Sequence, residues 1–293
     1  MTTDSPLSIL PTMSGDLARL EERLLESTVA KDPFLSEIAA HLVVAGGKRV
    51  RPGFAIAAGG TRHLDAVPAS DEVLLGGVAV ELVHIGSLYH DDVMDEAQMR
   101  RQVISVNARW GNLRAILAGD FLLARASEIA ASLGTEVAGL LASTIARLCE
   151  GQVGELQTLY DLGRTVDQYL PSIEGKTASL YAAACRIGGL VSELSDDTTD
   201  RLTEFGRLYG MAFQVVDDIL DVIATDAQLG KPAGNDMIEG VYSLPVILTL
   251  AQPDSGELEE LLTDGLQPED RSRAIELVRN GPGVTAAYGQ ASA

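Results

Sequence analysis

Aromatic residues make up only 4% of this 293-residue chain, which holds a single tryptophan. Strands draw on aromatic and β-branched side chains, so this scarcity, set beside abundant Ala and Leu, argues against a β architecture and for helices. Cations are also short, with 22 Lys and Arg against 42 Asp and Glu, a formal charge of −20. A surface of that sign repels nucleic-acid backbones and anionic membranes, and nucleic acid is excluded as a partner. The two cysteines, Cys149 and Cys185, lie far apart without CxxC spacing. That excludes a disulfide framework and a structural zinc site and fits a reducing cytoplasm. No run reaches the roughly 18 uninterrupted apolar residues of a spanning helix, and Met1 to Asp16 lacks a basic segment followed by an apolar one, so no membrane or targeting segment is read.

What is present is 46% hydrophobic residues in a pattern of successive helices. Residues 1–16 read as a flexible polar leader and 17–293 as one all-α domain large enough to bury a substantial core. Leu17 to Thr28 alternates Leu and charge at helical spacing, and Asp32-Pro33 starts a second helix by capping chemistry. Val73 to Met94 is a long apolar helix, and Leu202 to Ile223 is a second one that ends in the same way. The small, polar stretch Gly281 to Ala293 stands where a last core helix is expected, and the sequence leaves open whether it is short by nature or truncated.

The shared ending is Asp-Asp-x-x-Asp. At about 100° per residue, Asp91 and Asp95 fall one turn apart on one helical face, with Asp92 beside them. Three neighbouring carboxylates after an apolar run need a cation, and hard oxygen ligands with room for phosphate suit Mg2+. Alone, such a cluster is more often a solvated face. Asp217, Asp218 and Asp221 repeat the spacing, and six carboxylates would converge if the two helices face each other across a bundle cavity, as in helical metal centres. The scarce cations cluster too. Gly46-Gly47-Lys48-Arg49-Val50-Arg51-Pro52 offers a flexible backbone, a lysine and two guanidinium forks to phosphate oxygens. Arg100-Arg101 follows the first acidic motif, and Lys176-Thr177 and Lys231 lie further on. His84, seven residues before Asp91, and Gln214, three before Asp217, share the faces of their acidic motifs.

This set, in this order, resembles the trans-isoprenyl diphosphate synthases, or polyprenyl synthetases, over nearly the whole chain. The stretches that carry it are Gly46 to Pro52, His90 to Arg101, Glu150 to Gln157, Lys176 to Ala178, Phe213 to Asp221 and Gly230 to Pro245. The resemblance implies a single large antiparallel helical bundle with a central active-site cavity, commonly a homodimer. It implies that Asp91, Asp92, Asp95, Asp217, Asp218 and Asp221 frame three Mg2+ ions holding an allylic diphosphate, helped by Arg100, Lys176 and Lys231. Lys48, Arg51, His84 and Arg101 would hold isopentenyl diphosphate, with Thr177 and Gln214 lining the space between. The implied reaction is head-to-tail condensation of isopentenyl diphosphate onto the allylic diphosphate, by ionisation of the latter, attack of the isopentenyl double bond and loss of a proton. No side-chain nucleophile is required, which fits the absence of a Ser-His-Asp or Cys-His arrangement.

Product length in this family depends on the residues beneath the first motif, where an aromatic side chain stops elongation. Here they are Gly86 and Ser87, which leave room for a medium- to long-chain all-trans product and make Gly86→Phe the expected shortening variant. Three features depart from the family pattern: Val241 stands where a lysine is frequent, Gln152 where an acid is frequent, and the chain ends early. The alternatives are a regulatory or weakly active subunit of a heteromeric synthase and, more remotely, a class I terpene cyclase. A cyclase has a different second metal motif and needs no isopentenyl site.

Overall fold

Helices form where capping chemistry and apolar periodicity coincide. The structure, a computed structural model, describes residues 6–63, 65–225 and 233–292. The all-α expectation holds: among the described residues the only strands are β1 (Met99–Arg100) and β2 (Val103–Ile104), one short antiparallel hairpin. Helix α1 (Met13–Ser27) begins one turn before Leu17, because Met13 and Asp16 are buried with Leu20 and Leu24. The Asp16 carboxylate accepts from Arg19 Nη1 at 3.2 Å and from the Ala69 amide at 3.1 Å. Helix α2 (Pro33–Val44) starts as its sequence predicts, with Pro33 in the first turn and the Asp32 side chain accepting from the Leu35 amide at 2.9 Å.

The chain divides into two compact units, Met1–Ile145 with Leu180–Gly206, and Ala146–Ser179 with Arg207–Ala293. In the first, α3 (Val50–Gly60) and α4 (Asp71–Met94) pack together, and α5 (Val106–Trp110) leads into α6 (Asn112–Ser132), which lies along α4. Helix α4 is capped by Ser70, whose hydroxyl accepts from the Val73 amide, and it is buried nearly all round through Val78, Val80, Leu82, Ile85 and Tyr89. By length and composition it could cross a membrane, although Glu81 and His84 break its apolar run; 72% of its apolar window is buried inside the protein, as in a core helix.

Helices α4 and α6 cross at two glycines. A Cβ on Gly86 would lie 3.2 Å from the Gly119 carbonyl oxygen and 3.3 Å from Leu123 Cγ. Residue 86 therefore faces a neighbouring helix, and its missing side chain serves the helix crossing. Gly86→Phe is expected to force α4 and α6 apart, at a cost of about 1–3 kcal/mol. Thermal denaturation will register it as a lowered midpoint before any change in product can be read.

The second unit contains the C-terminal part of α7 (Thr135–Leu156), α8 (Val166–Ile173), the portion of α10 (Asp196–Ile223) from Arg207 onward, α11 (Asn235–Ile238), α12 (Leu244–Leu250), α13 (Gly256–Leu262), α14 (Arg271–Asn280) and α15 (Pro282–Ala291). Its core is built on Tyr169, Ile173, Val215, Ile219, Met237, Tyr242 and Leu244. The small, polar C-terminal stretch forms α15, started by Pro282 and packed on α12 with Ala287 buried. Helix α8 opens on a capping box in which the Thr165 amide donates to Gln168 Oε1 at 2.9 Å. It runs into a π-turn, Glu174–Ala178, which leads to α9 (Ser179–Val191). A Cβ on Gly175 would lie 2.6 Å from the Arg147 carbonyl oxygen and 2.9 Å from the Gly151 Cα. This close pass of α7 against the π-turn requires glycine on both sides, and it sets Glu155 beside Lys176.

Candidate active site

The first acidic motif closes α4. The Asp95 amide donates to the Asp91 carbonyl at 2.8 Å, so the last turn stays helical and keeps both side chains on one face. Arg101 and Gln102, with φ of +50° and +65°, turn the β1–β2 hairpin tightly. The hairpin returns Arg100 to the helix end, where its Nε donates to Asp92 Oδ1 at 2.6 Å. Asn107 on α5 ties the same corner, its Nδ2 donating to the Asp92 carbonyl at 2.8 Å and the Ala97 carbonyl at 3.0 Å.

Asp92 is wholly buried, and its Oδ2 has no hydrogen-bond partner. Burial pushes its carboxyl up, against the pull of Arg100, and Asp95 adds to the rise. A buried carboxylate oxygen without a donor is a place for a cation. Among the described residues, no three acidic, His or Cys side chains close into a ready-made cage. Magnesium takes only one or two protein carboxylates and completes its shell with water and phosphate, so this all-oxygen donor set fits it.

The glycine-rich basic segment lies in the same unit and divides its labour. Arg49, by sequence one of two guanidinium forks for phosphate, is turned inward, 4% exposed, with φ of +45°. It pairs with Glu21 through Nε and with Glu81 through Nη1 at 2.9 Å, and Nη2 donates to the Val43 carbonyl at 3.0 Å. Burial opposes its charge, but Glu81 and Glu21 outweigh burial and hold the guanidinium above its ordinary range. Arg101 braces the loop from the other side. Its Nη1 donates to the Leu42 and Gly46 carbonyls at 3.0 and 2.5 Å, and Nη2 lies 3.6 Å from Glu81 Oε1.

Lys48 is exposed. Arg51 sits over the buried Tyr181 ring, 4.6 Å from its centroid, with Nη1 at 3.2 Å from His84 Nε2. Burial, then Arg51, Arg101, Arg49 and Arg100, hold His84 well below its ordinary range. The imidazole is therefore neutral near pH 7, and its Nε2 accepts from Arg51. Arg51 Nε is buried without a partner.

The second motif lies on α10, with Asp217 exposed and Asp218 and Asp221 5% and 4% exposed. Both Asp218 oxygens carry donors: Tyr169 Oη to Oδ2 at 2.6 Å and Gln214 Nε2 to Oδ1 at 2.8 Å. Thr177, on the π-turn, donates to Gln214 Oε1 at 2.7 Å. Burial pushes the Asp218 carboxyl up to about 7; Tyr169 and Gln214 oppose the rise, while Asp236 and Asp217 add to it. Lys176 Nζ lies 2.6 Å from Glu155 Oε1. Val241 follows the left-handed Gly240, and its amide donates to the Asp236 carbonyl at 2.8 Å. Lys231 and Gly230 lie outside the described residues.

Each unit thus assembles its own part of the expected set: Asp92 with Arg100, and Arg51 with His84, in the first; Asp218, Gln214 and Thr177 in the second. Glu81, Tyr169 and Tyr181 belong to the set although no motif of the sequence marks them, and Glu155 stands in a matched stretch without an assigned partner. Each meets its partner across a long stretch of chain or on another element.

The polyprenyl synthetase family matches residues 32–278. The chain is 39% identical to the nonaprenyl diphosphate synthase of Mycobacterium tuberculosis, over 92% of this chain and 81% of that one. It is 40% identical to heptaprenyl diphosphate synthase component 2 of Geobacillus stearothermophilus, over 82% of this chain and 74% of the relative. A solved polyprenyl synthase from Caulobacter crescentus, complexed with calcium and isoprenyl diphosphate, superposes with a TM-score of 0.90 at 30% identity, covering 100% of this chain and 90% of that one. The heptaprenyl diphosphate synthase of Staphylococcus aureus gives 0.88 at 30% identity, covering 96% and 88%.

Proposed function

The chain belongs to the polyprenyl synthetase family and is a prenyltransferase, and on that premise we propose that it condenses isopentenyl diphosphate head-to-tail onto an allylic diphosphate with Mg2+, giving a medium- to long-chain all-trans product. The observation that carries the metal reading is the buried Asp92 carboxylate, whose Oδ1 takes Arg100 while Oδ2 is left without a donor. Asp91, Asp92 and Asp95, and likewise Asp217, Asp218 and Asp221, supply carboxylates to the ions, three in number by family resemblance. Mg2+ held by these carboxylates would neutralise the charge that develops on the departing diphosphate. Arg100, Lys176 and Lys231 add positive charge to that group. Lys48 and Arg51, with neutral His84 fixing the Arg51 fork, hold the diphosphate of the second substrate; Arg101 supports the loop that presents them. The leaving diphosphate takes the proton lost after the new bond forms.

Product length is supported by the relatives, which are named for nonaprenyl and heptaprenyl products, and by Ser87, whose small half-buried side chain donates to the His84 carbonyl at 2.9 Å. With Gly86 committed to the helix crossing, position 87 is the one to fill. Ser87→Phe is expected to shorten the main product by at least one isoprene unit while the melting temperature stays near that of the parent, as read by chromatography of the dephosphorylated alcohols.

The catalytic domain starts with α1 at Met13, not after a 16-residue leader, and works in the cytoplasm as a homodimer. Exposed Leu113, Ile116 and Leu117 on α6 support self-association. Incubation of the purified chain with Mg2+, isopentenyl diphosphate and each of three allylic primers tests the whole reading. Elongated products that need both substrates are expected; allylic consumption without isopentenyl diphosphate would contradict it. The likeness to a protein named component 2 favours one second reading, a subunit of a heteromeric synthase. Turnover by the chain alone removes it.

A further inference from the structure

We propose that Tyr169 is a positioning residue that sets the orientation of the Asp218 carboxylate for metal binding. The inference rests on the reading of Asp218 as a metal ligand. A carboxylate turns freely about its last torsion unless its oxygens are held, and each oxygen offers two lone-pair directions. Here Tyr169 Oη occupies one direction on Oδ2, at 2.6 Å, and Gln214 Nε2 one on Oδ1, at 2.8 Å. The torsion is thereby locked, and one lone pair on each oxygen remains for a cation. Short contacts between a neutral O–H and a buried carboxylate belong to the stronger class of hydrogen bond.

Both donors are themselves held. Thr177 Oγ1 donates to Gln214 Oε1 at 2.7 Å, which fixes the amide so that its NH2 faces Asp218. Tyr169 is 1% exposed, and its ring lies under the Arg164 guanidinium, 5.6 Å from centroid to Cζ. Arg164 is anchored through Nη1 to the Tyr242 carbonyl and through Nη2 to Ser172 Oγ, each at 2.9 Å, and Ser172 Oγ donates to the Tyr169 carbonyl at 2.8 Å. The phenol is thus fixed at its backbone and on its ring face, and its hydroxyl has one buried acceptor to reach. Arrangements in which outer partners orient metal-binding carboxylates typically change metal affinity by about 10–100-fold when broken.

The test is Tyr169→Phe in the full-length chain, which deletes one oxygen and keeps the ring. Mn2+ alone is titrated into the protein and the free ion followed by electron paramagnetic resonance, with Asp218→Asn in parallel. Tyr169→Phe is expected to weaken Mn2+ binding about tenfold, to raise the Mg2+ concentration for half-maximal rate in step, and to leave the KM for isopentenyl diphosphate near its parental value, with a modest fall in melting temperature from the donor lost by a buried carboxylate. A purely structural tyrosine would move the melting temperature and leave metal affinity alone. Weakening in Asp218→Asn with none in Tyr169→Phe overturns the positioning role while sparing Asp218 as ligand. Unchanged binding in both overturns the metal reading of Asp218 and the proposal with it. Should the Phe variant fail to fold, Thr177→Val breaks the other end of the relay; parental Mn2+ affinity in that variant overturns the proposal.

Discussion

Replacing Asp92 by asparagine is expected to lower kcat by about three orders of magnitude, the scale set by removing one preorganised electrostatic group from a water-poor site. The side chain is wholly buried, and Arg100 Nε fixes which oxygen is which. An asparagine must keep its oxygen on Arg100, because an NH2 group against a guanidinium is repulsive. Its NH2 then takes the place of Oδ2, the oxygen that has no donor. The variant thus loses a negative charge and directs a positive dipole at the place proposed for a cation. Steady-state turnover at saturating substrates and rising Mg2+ measures the effect, and thermal denaturation checks the fold. A variant with parental melting and parental kcat would remove Asp92 from the proposed chemistry.

Arg49→Ala is expected to cost about 3–5 kcal/mol of stability, the range for removing one partner of a buried ion pair. Glu81 is 2% exposed and pairs with Arg49 Nη1 at 2.9 Å, while Arg101 stands further off at 3.6 Å. Without Arg49 the Glu81 carboxylate stays buried with only the longer contact, and the Val43 carbonyl loses its donor. Chemical denaturation reads the loss directly. A cycle with Glu81→Gln separates the pair from its surroundings, since the double variant should be less destabilised than the sum of the single changes. A loss below 1 kcal/mol in the single variant would show the pair to be structurally idle. Because Arg49 and Arg101 hold the segment that carries Lys48 and Arg51, a higher KM for isopentenyl diphosphate is expected alongside the lost stability.

Arg49 shows where a sequence reading stops. Lys48, Arg49 and Arg51 stand together in one basic segment, and composition treats their charges alike. The left-handed backbone at Arg49 turns its side chain inward, toward carboxylates on α1 and α4, and leaves Arg51 to His84. Gly86 makes the same point by direction. Helical periodicity puts it beneath the first aspartate motif, but only the crossing with α6 reveals that its missing side chain accommodates Gly119 and Leu123.

The sequence by itself determined the helical class, the start of α2 at Asp32-Pro33, the long apolar α4 and the spacing that puts Asp91 and Asp95 on one face. These follow from local rules: helical periodicity and capping act within a few residues, so they can be read along the chain. Only the tertiary structure decided that Tyr169 grips Asp218, that Tyr181 lies under Arg51, that Glu81 gathers two arginines and that Pro282–Ala291 packs as a helix. Those contacts join residues tens of positions apart. Which partner a buried polar group finds depends on how helices cross, and no local period encodes the crossing.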